Sequence, residues 1–102
     1  MGNLFDILGP VMVGPSSSHT AGAARIGLIA RQLFGRQPDK AVVNLHGSFA
    51  ATGKGHGTDK ALIAGLLGMK PDDLRIPHSF EIAKEMGMDF TIQPKYLRDA
   101  HP

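Results

Sequence analysis

The chain has 102 residues, enough for one compact domain and too few for a second hydrophobic core. Its hydrophobic fraction of 42% and charged fraction of 20% exclude disorder and fibrous repeats, and a net charge of +2 spread over scattered Lys and Arg excludes a nucleic-acid stripe. The absence of cysteine removes disulfides, thiolate nucleophiles, zinc-thiolate sites and conventional iron-sulfur ligation from the chain itself.

Residues 4–13 are apolar but punctuated by Gly9-Pro10, which predicts a short strand or turn with irregular packing. Gly14-Pro15-Ser16-Ser17-Ser18-His19-Thr20 follows, dense in residues that bend the chain or cap a helix, so a helix is expected to start there. It should run from Thr20 to Phe34 and stop at Gly35. Ile26, Ile29 and Leu33 recur at helical spacing as its expected apolar stripe. Ala23, Gly27 and Ala30 form a second stripe of small residues, which suits close approach by another backbone and is a candidate clamp for a second copy or a partner.

Residues 40–48 read as a strand, with Ala41, Val43, Leu45 and Gly47 on one face and Val42, Asn44, His46 and Ser48 on the other. In Ala51-Thr52-Gly53-Lys54-Gly55-His56-Gly57-Thr58-Asp59, three alternate glycines argue for a loop, with Thr58 or Asp59 capping the next helix. That helix is expected over residues 59–67, burying Leu62, Ile63, Leu66 and Leu67 and ending at Gly68. A third helix is expected over residues 79–86, with Phe80, Ile82, Ala83 and Met86 as its apolar contacts and Gly87 as its stop. Met88, Phe90 and Ile92 then alternate with polar residues as a last strand, closed by Pro94.

The order β, α, β, α, α, β predicts an α/β (α+β) fold, a small mixed sheet with about three helices packed against it. Residues 1–102 are expected to form a single domain, and the halt at His101-Pro102 after a loop-like stretch suggests a piece of a longer protein. No apolar run spans a bilayer and no secretory pattern opens the chain, so a cytoplasmic protein without a membrane partner is expected. No two of the five histidines are spaced to pair on one helical face, so no metal site is expected within this chain.

Two segments concentrate chemistry. Each places glycine, hydroxyl and histidine groups before a helix, where unpartnered N–H groups and the peptide dipoles attract anions. In the first, Ser16, Ser17, Ser18, His19 and Thr20 offer more polar groups than one cap needs. In the second, His56 stands between Gly55 and Gly57 with no packing role in view, which leaves it available for proton transfer, and the run does not follow the P-loop spacing. Asp59 reads as a cap and orienter, and Arg25 and Lys54 as carboxylate partners.

The run from Gly9 to Ala23, Gly-Pro-Val-Met-Val-Gly-Pro-Ser-Ser-Ser-His-Thr-Ala-Gly-Ala, resembles the opening of the beta domain of the iron-sulfur L-serine dehydratases. Gly47-Ser48-Phe49-Ala50, followed by the run from Gly53 to Ala61, is similar to that domain's second block, so the resemblance covers nearly the whole chain. It implies an enzyme that converts L-serine to pyruvate and ammonia. The implied four-iron, four-sulfur cluster is bound by a separate catalytic domain, with one iron acting as Lewis acid on the departing hydroxyl.

Carried onto this sequence, the resemblance puts Ser16, Ser17, Ser18, Thr20, Gly57 and Thr58 at the substrate. It leaves proton transfer open between His19 and His56. The implied partners are the cluster-bearing domain, L-serine and a second copy of the enzyme; the isolated chain is expected to be inactive. The family's beta domain also resembles a small-molecule regulatory domain of some D-3-phosphoglycerate dehydrogenases, so the alternative is a module that binds serine or phosphate without catalysis.

Overall fold

The computed structural model describes residues 7–13, 20–46 and 56–95. In chain order they form β1 (Ile7–Val13), α1 (Thr20–Phe34), β2 (Lys40–His46), α2 (His56–Leu66), a 3-10 turn (Ile76–His78), α3 (Ser79–Glu85) and β3 (Asp89–Lys95). The strands make one sheet in the order β1-β2-β3, and both pairs are parallel. Parallel neighbours cannot be joined by a tight turn, so each pair needs a crossover, and the helices supply it. The α/β class and the three-strand, three-helix content are as expected; the described strands are all parallel where a mixed sheet was expected, because each pair is joined through helix and not by a hairpin.

Alternation sets which face of the sheet is buried. Ala41 lies beside Leu8 and Phe90 in register, and Val43 beside Val11 and Ile92, so these six side chains share one face. Ala41 and Val43 are fully buried there, in a core completed by Leu62, Ile63 and Leu66 of α2 and by Met88. The Phe80 and Phe90 rings, with centroids 4.8 Å apart, tie α3 to β3. β1 slips register between Leu8 and Val11, and a Cβ on Gly9 would sit 2.5 Å from the Val42 carbonyl oxygen. Gly9 also has φ +120, so only glycine lets the strands run side by side at that point.

Four details differ from the sequence reading. Ile29 and Leu33, expected in the core, are 54% and 84% exposed, whereas Ala23, Ala24 and Gly27 are buried: α1 packs on its small stripe. That stripe is occupied within the chain and is not a clamp for a second copy. α2 begins at His56 rather than Asp59, because Gly57 and Thr58 accept helical geometry once the turn is packed. Met86 falls just past the end of α3 and is 49% exposed, leaving Ala83 as that helix's fully buried apolar contact. Pro94 lies inside β3 and does not close it; β3 has a described neighbour on one side only, and an edge strand tolerates a residue with no N–H to donate.

Candidate functional site

The site is framed by the contact between α1 and α2. A Cβ on Gly27 would collide with the Leu62 carbonyl oxygen and come within 2.9 Å of the Gly65 Cα, and a Cβ on Gly65 would collide with the Ala24 carbonyl oxygen. The two backbones therefore touch, which any side chain at either glycine would prevent. Further along, Arg31 Nη1 donates to the Leu66 carbonyl at 3.0 Å, and its guanidinium lies alongside Gly68. α1 returns the chain from β1 to its parallel neighbour β2, and α2 begins the return from β2 to β3, so both helices run back against the strands in the same direction; Arg31 reaching Leu66 and Gly68 at the end of α2 agrees with this.

This direction decides where the two helix starts lie. Thr20 precedes Gly27 by seven residues and His56 precedes Gly65 by nine, which at helical rise is about 10 and about 13 Å on the same side of the crossing. The strands feeding them are neighbours as well: Val13, the last residue of β1, is in register with Leu45, the penultimate residue of β2. The segment before α1 and the segment before α2 therefore leave adjacent strand ends and enter touching helices. Both strand ends lie at the carboxyl edge of a parallel sheet, where open α/β folds hold their ligands.

Residue by residue, Ser16, Ser17, Ser18 and His19 lie outside the described residues, as do Ser48 and Lys54. Thr20 is the first residue of α1 and His56 the first of α2; their side chains, and that of His46, are outside the described set. Gly57 is exposed in the first turn of α2, while Thr58 is 1% exposed and packs into the interior. Asp59 is half-buried in that same turn, with Oδ1 accepting from the Lys60 N–H at 2.7 Å. Arg25 is exposed on the side of α1 away from the crossing, and Asn44 is buried on the sheet face away from the core.

The two helix starts differ in electrostatics. The first turn of α2 holds the Asp59 carboxylate, which complements the positive end of its own helix, whereas the first turn of α1 holds no acidic residue. An incoming anion therefore meets more uncompensated positive potential at α1, where the serine-rich segment ends. The start of α2 is held from behind by Ser79, whose buried hydroxyl donates to the Lys60 carbonyl at 2.7 Å and fixes α3 to the first half of α2.

Gly65 is the positioning residue that the sequence reading missed. Its signal was present in the run Ala61, Ala64, Gly65, a small-residue line on α2 matching the one seen on α1. Among the described residues no three His, Cys, Asp or Glu gather to hold a metal ion, and no helix is long and apolar enough to cross a membrane. The chain has no cysteine, so it does not offer the usual donors for an iron-sulfur cluster.

Comparison with known proteins gives a consistent result. The family described as serine dehydratase beta chain matches residues 3–99. The "Probable L-serine dehydratase, beta chain" of Bacillus subtilis (strain 168) is 54% identical over 98% of this chain and 46% of its own length. The L-serine dehydratase beta chain of Peptoniphilus asaccharolyticus is 50% identical over 96% of this chain and 45% of its own. L-serine dehydratase 2 of Escherichia coli (strain K12) is 45% identical over 72% of this chain and 17% of its own. The chain thus spans about half the length of the beta-chain relatives it matches. No solved structure matches it.

Proposed function

The chain belongs to the serine dehydratase beta chain family, and from that premise we propose that it forms part of an L-serine dehydratase, lining one wall of a site completed by a cluster-bearing catalytic partner. One observation supports the reading: β1 and β2 end side by side and the helices that follow them touch, so the described residues flanking the two segments rich in hydroxyl and imidazole groups are neighbours. The start of α1, with no acid in its first turn, suits the carboxylate of L-serine, and Ser16, Ser17, Ser18 and Thr20 are the hydroxyls that would hold it. Gly57 leaves room above the first turn of α2, and Thr58 supports that turn from within.

Loss of ammonia from serine requires removal of the α-proton and departure of the β-hydroxyl. Of the five histidines, His19 and His56 are the two that stand in these segments, and either would take or return that proton. The four-iron, four-sulfur cluster, which supplies a Lewis acid for the hydroxyl, would be held by the partner's cysteines. The enzyme is read as cytoplasmic.

Mixing this chain with a separately produced catalytic partner and measuring pyruvate from L-serine tests the proposal. Turnover is expected in the mixture and not from this chain alone. Binding of serine or phosphate without turnover in the mixture would favour a purely regulatory module instead.

A further inference from the structure

α1 has a second face that the crossing does not use. Ile29 and Leu33, one turn apart, are 54% and 84% exposed, and Gly22, seven residues before Ile29, lies on the same line with open space around it. Ile26, half-buried, borders the line, and the buried Ala24 and Gly27 lie on the opposite side of the helix. Single exposed apolar residues are ordinary, but two in a row along one helix, facing away from a completed core, make a continuous apolar strip.

Charge selects what fits that strip. α1 carries Arg25 and Arg31 and no acidic residue; Arg31 is engaged with α2, while Arg25 is exposed beside the strip. Beyond the helix, Arg36 already holds Asp39 at 3.3 Å. A second copy packed on this face would bring arginine against arginine with no carboxylate on α1 to answer it. An apolar surface rimmed by Asp or Glu would complement it.

We propose that the outer face of α1, centred on Ile29 and Leu33 and flanked by Arg25, is the docking surface for an apolar, carboxylate-rimmed patch on the catalytic partner. The inference rests on the functional reading above and adds the place of contact. L-serine dehydratase 2 of Escherichia coli (strain K12), of which the match covers 17%, joins such a segment to much further polypeptide, so a surface of that kind has chain to build it from. The strip also begins at Gly22, two residues after Thr20, so a partner seated along it reaches the helix start where the serine-rich segment ends.

The test is a binding titration between this chain and the separately produced catalytic partner, using Ile29→Asp, Leu33→Asp, the milder Leu33→Gln, and Arg25→Glu. Leu74→Asp, at a position 92% exposed in a distant turn, serves as the control. The two Asp variants should weaken binding by about tenfold or more, Leu33→Gln by less, and Leu74→Asp should bind as the unchanged chain does. Arg25→Glu should weaken binding most at low salt, with the difference shrinking as salt is raised. Melting curves should be unchanged, since none of these side chains is in the core.

Equal partner affinity for the unchanged chain and both Asp variants would overturn the proposal. So would a loss of self-association by sedimentation with partner binding intact, which would assign the face to a second copy. If the unchanged chain forms no complex with the partner, the functional reading fails first and this inference falls with it.

Discussion

At Gly65 a hydrogen stands where any other residue would drive a carbon into the Ala24 carbonyl of α1. Backbone on both sides leaves nothing flexible to give way, so Gly65→Ala should destabilise the chain by about 3 kcal/mol or prevent folding, as overpacking at a rigid contact does. Gly22→Ala, on the same helix pair but with open space around it, is expected to be neutral or stabilising by up to about 1 kcal/mol, because alanine is the better helix former. Thermal or urea melts of the two variants separate these outcomes, and equal effects would refute the close crossing.

The Asp73 carboxyl makes a second residue-scale prediction. Hydrogen bonds from the Arg75 guanidinium at 2.7 and 2.9 Å and from the Arg75 backbone N–H hold it at about 2, below the ordinary 3.8. A depressed carboxyl favours folding once the pH is above its ordinary range and loses that contribution as the pH falls toward 2, so the turn at residues 70–76 should loosen only in strong acid. Following the side-chain carbon by NMR should give a midpoint near 2, and Arg75→Gln should return it toward 3.8. A midpoint unmoved by that substitution would contradict the pairing.

At the scale of elements, helix limits and strand faces were legible because they depend on local chemistry. The bounds of α1 follow from hydroxyl-rich residues before it and Gly35 after it, and Gly35 sits at φ +98 with its N–H on the Arg31 carbonyl. Gly35→Ala should therefore cost about 1 to 2 kcal/mol of stability from backbone conformation alone, since no atom lies within 4 Å of an added Cβ. A melt unchanged by that substitution would argue against the left-handed stop. The two faces of β2 were likewise readable from alternation.

The small stripe of α1 at Ala23 and Gly27 was readable as a place for close backbone approach, but not that it, in preference to the larger apolar residues, forms the inward face. Period alone favoured Ile26, Ile29 and Leu33, and the helix instead packs on Ala23, Ala24 and Gly27 because its partner presents Gly65, far along the chain. The start of α2 was misread for a related reason: three alternate glycines weigh against a helix locally, yet Gly57 is held in one by the packing of Thr58 and the residues after it. The polar character of the candidate site is read from the sequence in Ser16, Ser17, Ser18, His19 and His56; the neighbourhood of the strand ends and helix starts that flank its two segments emerges only from strand pairing and the helix crossing.

For the whole molecule, a sheet in the order β1-β2-β3 with parallel pairs makes every strand point the same way, so β1 and β2 both deliver the chain to their helices at one edge. Among the described residues the packed core supplies a frame behind that edge, and the outer strip of α1 stays outside it. The central claim is that the segments before α1 and α2 act on one ligand beside a catalytic partner. Hydrogen–deuterium exchange of the assembled two-chain complex, with and without saturating L-serine, tests it most directly. Slowed exchange in peptides spanning both Ser16 to Thr20 and His56 to Thr58 is the predicted result; slowing in only one of them, or in neither, would contradict it.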